Sequence, residues 1–431
     1  MAKIRALRAW RYQDKLAENI GELISPPFDV VSQKQREALY RNPLNSIHLS
    51  VPPGNRPAEH AADMLQRWKA EGILQQDEEA GMYVYYQYFK LPGESREYCR
   101  KGFICFIEAA FWEERVVLRH ENTIPASVND RIELLENTLL NASPTHGLYT
   151  DEQHRLENYM DECMQSPIYQ VEDYQGVRDV VGVIRDPEII SIFIRTMADK
   201  QIILADGHHR YESSLAYRDK CIQANPSHHG EEGYNYHLMY LTNTETEDLK
   251  ILPTHRLLQD LPHFNPEDIL KHCSEYFDMR EQDNPHDLLE VIAGKVQTFG
   301  LVMENQAFKI RLKPALQQQI NWSLSESVRE LDIVTLHYFF LEKIMGIARE
   351  EQRSSPRISY ERSFANCLYK VARKEAQMAL ITNAVTIGQV KDICYSGQLL
   401  PQKSTFFYPK AICGFLFGSI QEHEFQTHIG V

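Results

Sequence analysis

The densest chemistry in the sequence lies at Ile202-Ile203-Leu204-Ala205-Asp206-Gly207-His208-His209-Arg210. A short apolar run enters an Asp-Gly pair and then, with no linker, a helix-forming stretch. Asp206 is expected to cap that helix, and Gly207 to let the backbone turn sharply. Exposed N–H groups and the positive dipole end at a helix start favour an anion. His208, His209 and Arg210 would add donors in the same first turn, and Arg can grip a phosphate through two bonds. The pattern reads as a phosphate cradle, with a solvent-facing structural turn as the plain alternative.

Four further segments carry polar groups in suggestive settings. Arg119-His120-Glu121-Asn122-Thr123, with Asp130-Arg131 after it, sets a His beside a carboxylate. That pair suits a general base or a metal ligand, and Arg131 suits phosphate neutralisation; a helix-capping ion network would use the same residues. Pro253-Thr254-His255-Arg256 offers a His-Arg pair after an apolar stretch, equally readable as a surface pair. Pro401-Gln402-Lys403-Ser404-Thr405-Phe406-Phe407-Tyr408-Pro409-Lys410 interleaves cations and hydroxyls with aromatic rings. It suits a nucleotide, or a β-hairpin with exposed lysines. Ser25-Pro26-Pro27-Phe28-Asp29 has two prolines that fix an extended chain and could hold Asp29 rigidly.

The elements that must position these groups alternate between strands and helices, the pattern of an α/β or α+β chain. Tyr83 to Phe89 and Gly102 to Ile107 read as paired strands around a Leu91-Pro92-Gly93 turn. Ala58 to Ala70 and Ile132 to Leu140 read as helices, the second with Asp130 near its start. A polar stretch over 222–235 marks a boundary, giving an N-terminal α/β region over 1–225 and a C-terminal α/β domain over 235–431. Strands are expected at 236–241, 298–303, 307–312 and 378–381, with helices near 266–276, 286–294, 333–345 and 362–376.

Composition narrows the function. Of 431 residues, 43% are hydrophobic and 25% charged, and the net charge is −14. That acidity argues against a nucleic-acid binder held by a general basic field. No apolar run approaches the ~20 residues of a membrane span, and the basic N-terminus lacks a signal-peptide core, so the cytoplasm is expected. The eight cysteines form no Cys-x-x-Cys pair and are expected to be reduced and mostly buried. P-loop, Rossmann, His-Glu-x-x-His and nucleophile-elbow motifs are absent.

Taken in order, Pro26–Val31, His120–Thr123 with Asp130-Arg131, Ala205–Arg210, Pro253–Arg256 and Pro401–Lys410 resemble a widespread bacterial and archaeal domain-of-unknown-function family described as ParB-like. Around residues 201–220 the box is also similar to those of ParB, of sulfiredoxin and of free serine kinases built on the same fold. The resemblance implies a ParB/sulfiredoxin-like nucleotide-binding core with an added α/β C-terminal domain. It implies a phosphate site at Gly207, His208, His209 and Arg210. His208 stands where sulfiredoxin has its catalytic Cys, so sulfinic-acid reduction does not carry over, and no helix-turn-helix supports centromere binding.

The expected function is nucleotide-dependent phosphoryl transfer to a small hydroxylated metabolite, free L-serine or phosphoserine first. A phosphatase on the same substrates, or a nucleotide-gated regulatory protein with slow hydrolysis, are the alternatives. Nucleotide-binding residues would be Asp206 to Arg210, Arg131, His255, Arg256, Lys403, Ser404, Thr405 and Lys410. Glu121 or Asp29 would accept the substrate proton, with His120 as rival. The cofactors would be ATP or ADP, CTP after them, and Mg²⁺.

Overall fold

The computed structural model describes residues 1–304, 306–401 and 403–425. The chain forms two compact units. The first comprises Met1–Arg119, Thr123–Leu249 and the chain from Pro409; the second comprises His120–Asn122 and Lys250–Tyr408.

The first unit is built on a nine-stranded sheet. Its strands are β1 (Ile4–Arg5), β2 (Met82–Lys90), β3 (Glu97–Glu108), β4 (Val117–Leu118), β5 (Thr145–Tyr149), β6 (Tyr169–Glu172), β7 (Arg178–Ile184), β8 (Ile202–Asp206) and β9 (Tyr236–Asn243). The order is β4-β8-β5-β9-β3-β2-β7-β6, with β1 on β3. The β4–β8 and β5–β9 pairs are parallel, and the other pairs are antiparallel, so the sheet is mixed. Residues on successive positions of one strand point to opposite faces. Tyr83, Tyr85, Ile104, Phe106 and Leu238 enter one apolar core, and Met82, Val84, Phe103, Cys105 and Met239 enter another. Burial on both faces explains why β2 and β9 read as continuous apolar runs rather than alternating ones. Helices α1 (Pro57–Ala70), α2 (Pro125–Thr138), α3 (Pro187–Met197) and α4 (His208–Ala224) belong to this unit, with α2 against both α1 and α4.

The second unit has a six-stranded antiparallel sheet: β10 (His255–Leu258), β11 (Phe277–Glu281), β12 (Thr298–Met303), β13 (Gln306–Leu312), β14 (Ile358–Glu361) and β15 (Met378–Ile381), ordered β11-β13-β12-β15-β10-β14. Its strands again feed two cores, Leu258, Phe299, Leu301 and Leu380 on one side and Leu257, Val302, Ala379 and Ile381 on the other. A π-helix over Leu336–Ile344 closes the first of these.

The mixed α/β class agrees with the sequence, and the segmentation differs in three places. The strand at 236–243 pairs within the first unit's sheet, so the observed units are not the contiguous spans 1–225 and 235–431. The 222–235 stretch is loop only in part, because α4 continues to Ala224. Helix α2 begins at Pro125, whose fixed φ and missing N–H suit a first helical position. Asp130 and Arg131 therefore sit inside the helix rather than at its start.

Candidate functional site

The corner where β8 meets α4 forms as the sequence predicts. Gly207 takes the N-cap position with φ +88°, a left-handed conformation that glycine adopts without strain. It has no side chain to cap the first turn.

Asp206 does not act as the cap. Its Oδ2 accepts from Arg210 Nη2 at 3.1 Å, one helical turn on, and its Oδ1 accepts from Lys410 Nζ. Burial opposes ionisation of this carboxyl. The adjacent Lys410 and Arg210 charges outweigh that penalty and hold it below the usual carboxylate range. Arg210 turns back onto the loop before β5, donating Nη1 to the Pro144 carbonyl at 2.6 Å and to Ser143 Oγ at 3.0 Å. His208 is buried, and His209 Nε2 accepts from the Ile124 N–H at 2.9 Å. Of the three side chains at the start of α4, His209 and Arg210 thus have protein partners and His208 is buried.

A small cleft lies beside this corner. It measures about 50 Å³ and is lined by Phe28, Ser50, Arg131, Asn141, Arg210 and His237, among others. Arg131 is fixed there by Asp130 Oδ2, by the Ser50 carbonyl at 2.5 Å, and by the Phe28 ring 4.7 Å from its guanidinium carbon. The two nitrogens of His237 meet Ser214 Oγ at 2.7 Å and Thr145 Oγ1 at 3.0 Å. Burial and the nearby Arg210 push its pKa down to about 3, so the ring is neutral. Three donors in the lining, Ser50 Oγ, Asn141 Nδ2 and Arg210 Nε, are buried and have no hydrogen-bond partner among the described residues. Ser50 is 3% exposed and Asn141 6%. Asp29 is exposed on the turn that carries Phe28, a turn closed by Val30 and Val31 N–H groups on the Pro27 carbonyl.

Next to the corner, strands β2, β3 and β7 bury a polar network. Tyr85 and Gln87 both donate to Asp179 Oδ1, at 2.6 and 2.9 Å, and Gln87 Nε2 also reaches the Lys410 carbonyl at 3.1 Å. Burial raises the Asp179 pKa to about 7. Arg100 donates to Gln87 Oε1.

The remaining expected site residues gather in the second unit. His120 is fully buried, with Nε2 2.8 Å from Thr405 Oγ1 and its carbonyl accepting from the Leu400 N–H. Glu121 Oε1 accepts from the Ser404 N–H at 3.2 Å, and Ser404 Oγ donates to the Pro401 carbonyl at 2.5 Å. Gln402 lies outside the described residues. Arg256 is 1% exposed and spends its donors on His337 Nε2 at 3.2 Å, the Lys403 carbonyl at 3.3 Å and the Thr254 carbonyl. Burial lowers its pKa to about 10. His255 Nδ1 accepts from the Thr382 N–H, and burial, reinforced by Arg256, brings its pKa down to about 4. His255 and Arg256 are therefore interior groups, His255 bonded to Thr382 and Arg256 to the Lys403 carbonyl, and not the surface pair that the sequence also allowed.

Among the described residues no group of three His, Cys, Asp or Glu side chains is placed to hold a metal. The cleft lining contains no carboxylate, and Asp206 already carries Lys410 and Arg210. This donor set does not fit the expected Mg²⁺. All eight cysteines are free thiols, five of them buried. No described helix is long and apolar enough to cross a membrane.

Ser50 and Asn141 escaped sequence reading. Ser50 ends the short helix Ile47–Ser50, Asn141 ends the two-residue strand Leu140–Asn141, and neither lies in a motif. Only the fold brings them to Arg210.

The first unit is thus a mixed sheet in which one strand ends in an Asp-Gly-His-His-Arg corner with His208 buried. The chain belongs to the family described as "Protein of unknown function (DUF1015)", whose model matches residues 4–334. The matched span includes four of the five segments quoted from the sequence and stops short of Pro401–Lys410. No curated protein matches the chain. Among solved structures, it is similar to a free serine kinase in complex with AMP, at 13% identity and TM-score 0.35, over 70% of this chain and 86% of that one. A conserved hypothetical protein from Pyrococcus furiosus is similar at 12% identity and TM-score 0.36, over 74% and 95%. SbnI with a C-terminal truncation, from Staphylococcus aureus, is similar at 11% identity and TM-score 0.35, over 72% and 85%.

Proposed function

We propose that the chain is a nucleotide-dependent phosphotransferase acting on a small hydroxylated metabolite, and that the cleft beside the β8–α4 corner binds an oxyanion of its substrates. The observation that carries this reading is the set of three buried donors, Ser50 Oγ, Asn141 Nδ2 and Arg210 Nε, without acceptors in one lining. Leaving a buried donor unpaired costs about 1–3 kcal/mol, so three in one cleft favour an acceptor-rich guest. Arg131 and Arg210 in the same lining give that guest a negative charge. Phosphoryl transfer asks a protein chiefly for positioning and charge stabilisation, which this donor set can supply.

The choice of free L-serine or phosphoserine as metabolite, with ATP or ADP as nucleotide, rests on the resemblance of residues 201–220 to the free-serine-kinase box. Within this unit we assign acceptance of the hydroxyl proton to Asp29, an exposed carboxylate outside the lining whose neighbour Phe28 lines the cleft. The test is ³¹P NMR of the full chain with ATP and L-serine, and in reverse with ADP and phosphoserine. Formation of phosphoserine in the forward direction, or of ATP in reverse, with KM raised at least tenfold in Arg131→Ala, supports the reading. Release of inorganic phosphate without ester moves it to a phosphatase. Absence of both turnover and nucleotide binding in calorimetry overturns it.

A further inference from the structure

We infer that the second unit holds a separate small-molecule site, in a cavity of about 160 Å³, which takes a planar ring carrying an anionic group. Trp322 forms one wall. Its indole Nε1 donates to Glu342 Oε2 at 2.9 Å, which fixes the ring plane. Arg349 lies over the indole, its guanidinium carbon 4.5 Å from the ring centre. Arg353 lines the same cavity one helical turn on. Both arginines are exposed, and neither pairs with a carboxylate among the described residues. In a chain of net charge −14, two uncompensated cations at one cavity mouth form a local anion attractor.

The interior matches a ring. Val334 and Leu400 supply apolar walls, and the Tyr360 hydroxyl is buried with no hydrogen-bond partner among the described residues. His337 and Gln352, also in the lining, satisfy one another through Nδ1 and Oε1 at 2.9 Å and add no charge. The volume is close to the roughly 150 Å³ of an engineered cavity that accommodates benzene. Aromatic stacking, cation–π contact and a carboxylate or phosphate on the arginines would act together on such a molecule.

The test titrates the full chain with benzoate and phenyl phosphate, following tryptophan fluorescence and saturation-transfer NMR, with benzyl alcohol and acetate as controls. Expected are saturable binding of the two ring anions, weaker binding of both controls, and at least a tenfold loss in Arg349→Ala/Arg353→Ala. Tyr360→Phe should weaken binding severalfold, and Arg131→Ala should leave it unchanged. Phenyl phosphate binding without benzoate binding assigns a phosphate ligand, and binding of both assigns the wider class. Failure of both anions to saturate the wild-type protein overturns the site, as does equal affinity for benzyl alcohol. Neither result bears on phosphoryl transfer in the first unit.

Discussion

A Cβ built on Gly207 would lie 2.5 Å from Thr145 Cγ2 and 3.0 Å from Arg210 Nη2. The β8–α4 corner is thus closed by two constraints at one residue: a left-handed φ, and a neighbour strand already in contact. Thr145 cannot simply swing away, because its Oγ1 is held by His237 Nε2.

Gly207→Ala should therefore destabilise the first unit by about 2–4 kcal/mol, from ~1–2 for the left-handed backbone and the rest from overpacking. Adding Thr145→Ser removes the methyl group and keeps the hydroxyl. The double variant should recover the packing part and retain the backbone part. Urea unfolding of the four-member cycle checks this. Additive losses would mean that Thr145 is not the obstacle.

Asp206 links stability to acid pH. Its folded pKa lies below the unfolded value of 3.8. Its contribution is fully present above that value and is lost as the pH falls through the folded one. Asp206→Asn should lower the unfolding midpoint at pH 7, where Arg210 and Lys410 would face each other without a carboxylate. It should lower it less at pH 2.5, where that loss is under way but incomplete. A midpoint difference that does not shrink on acidification would show that the ion pairs contribute nothing.

The β8–α4 corner was legible because its determinants are contiguous: an apolar strand, a glycine and a helix former within 15 residues. What Arg210 does was not legible, because its acceptors at Ser143 and Pro144 lie more than 60 residues earlier, and strand pairing decides who meets whom. The same non-locality hid β9, which looked like the opening of a second domain yet pairs with β3 and β5. His255 and Arg256 read as a ligand site or a surface pair, because a buried Arg is rare. Only the structure shows the carbonyls of Thr254 and Lys403 that make its burial tolerable.

His337 gives the second unit a pH dependence of opposite origin. Burial, with Arg256 beside it, lowers its pKa from 6.5 to about 3. Between those values the unfolded chain binds a proton that the folded chain refuses, so stability rises with pH across that window. The slope approaches about 1.4 kcal/mol per pH unit for one such group. His337→Gln preserves an acceptor for Arg256 and a donor for Gln352. It should flatten the loss of stability between pH 7 and pH 5 relative to wild type. The difference between the two proteins cancels the contribution of Asp179, which runs the other way between 3.8 and about 7. Parallel pH curves would exclude His337.

Glu121 and Asp29 can be separated by their partners. Glu121 Oε1 accepts from the Ser404 N–H, a bond that the amide oxygen of Gln can also accept. Glu121→Gln should thus preserve the 400–405 loop, whereas Glu121→Ala should cost about 1 kcal/mol. Asp29 is exposed and makes no such bond among the described residues, so Asp29→Asn should leave unfolding unchanged. If Asp29 accepts the substrate proton, Asp29→Asn should lower kcat by roughly 10²- to 10⁴-fold with little change in KM. Glu121→Gln should then turn over near the wild-type rate. The reverse pattern, a large kcat loss in Glu121→Gln with Asp29→Asn active, would transfer the base to the carboxylate beside His120 and remove Asp29 from the mechanism.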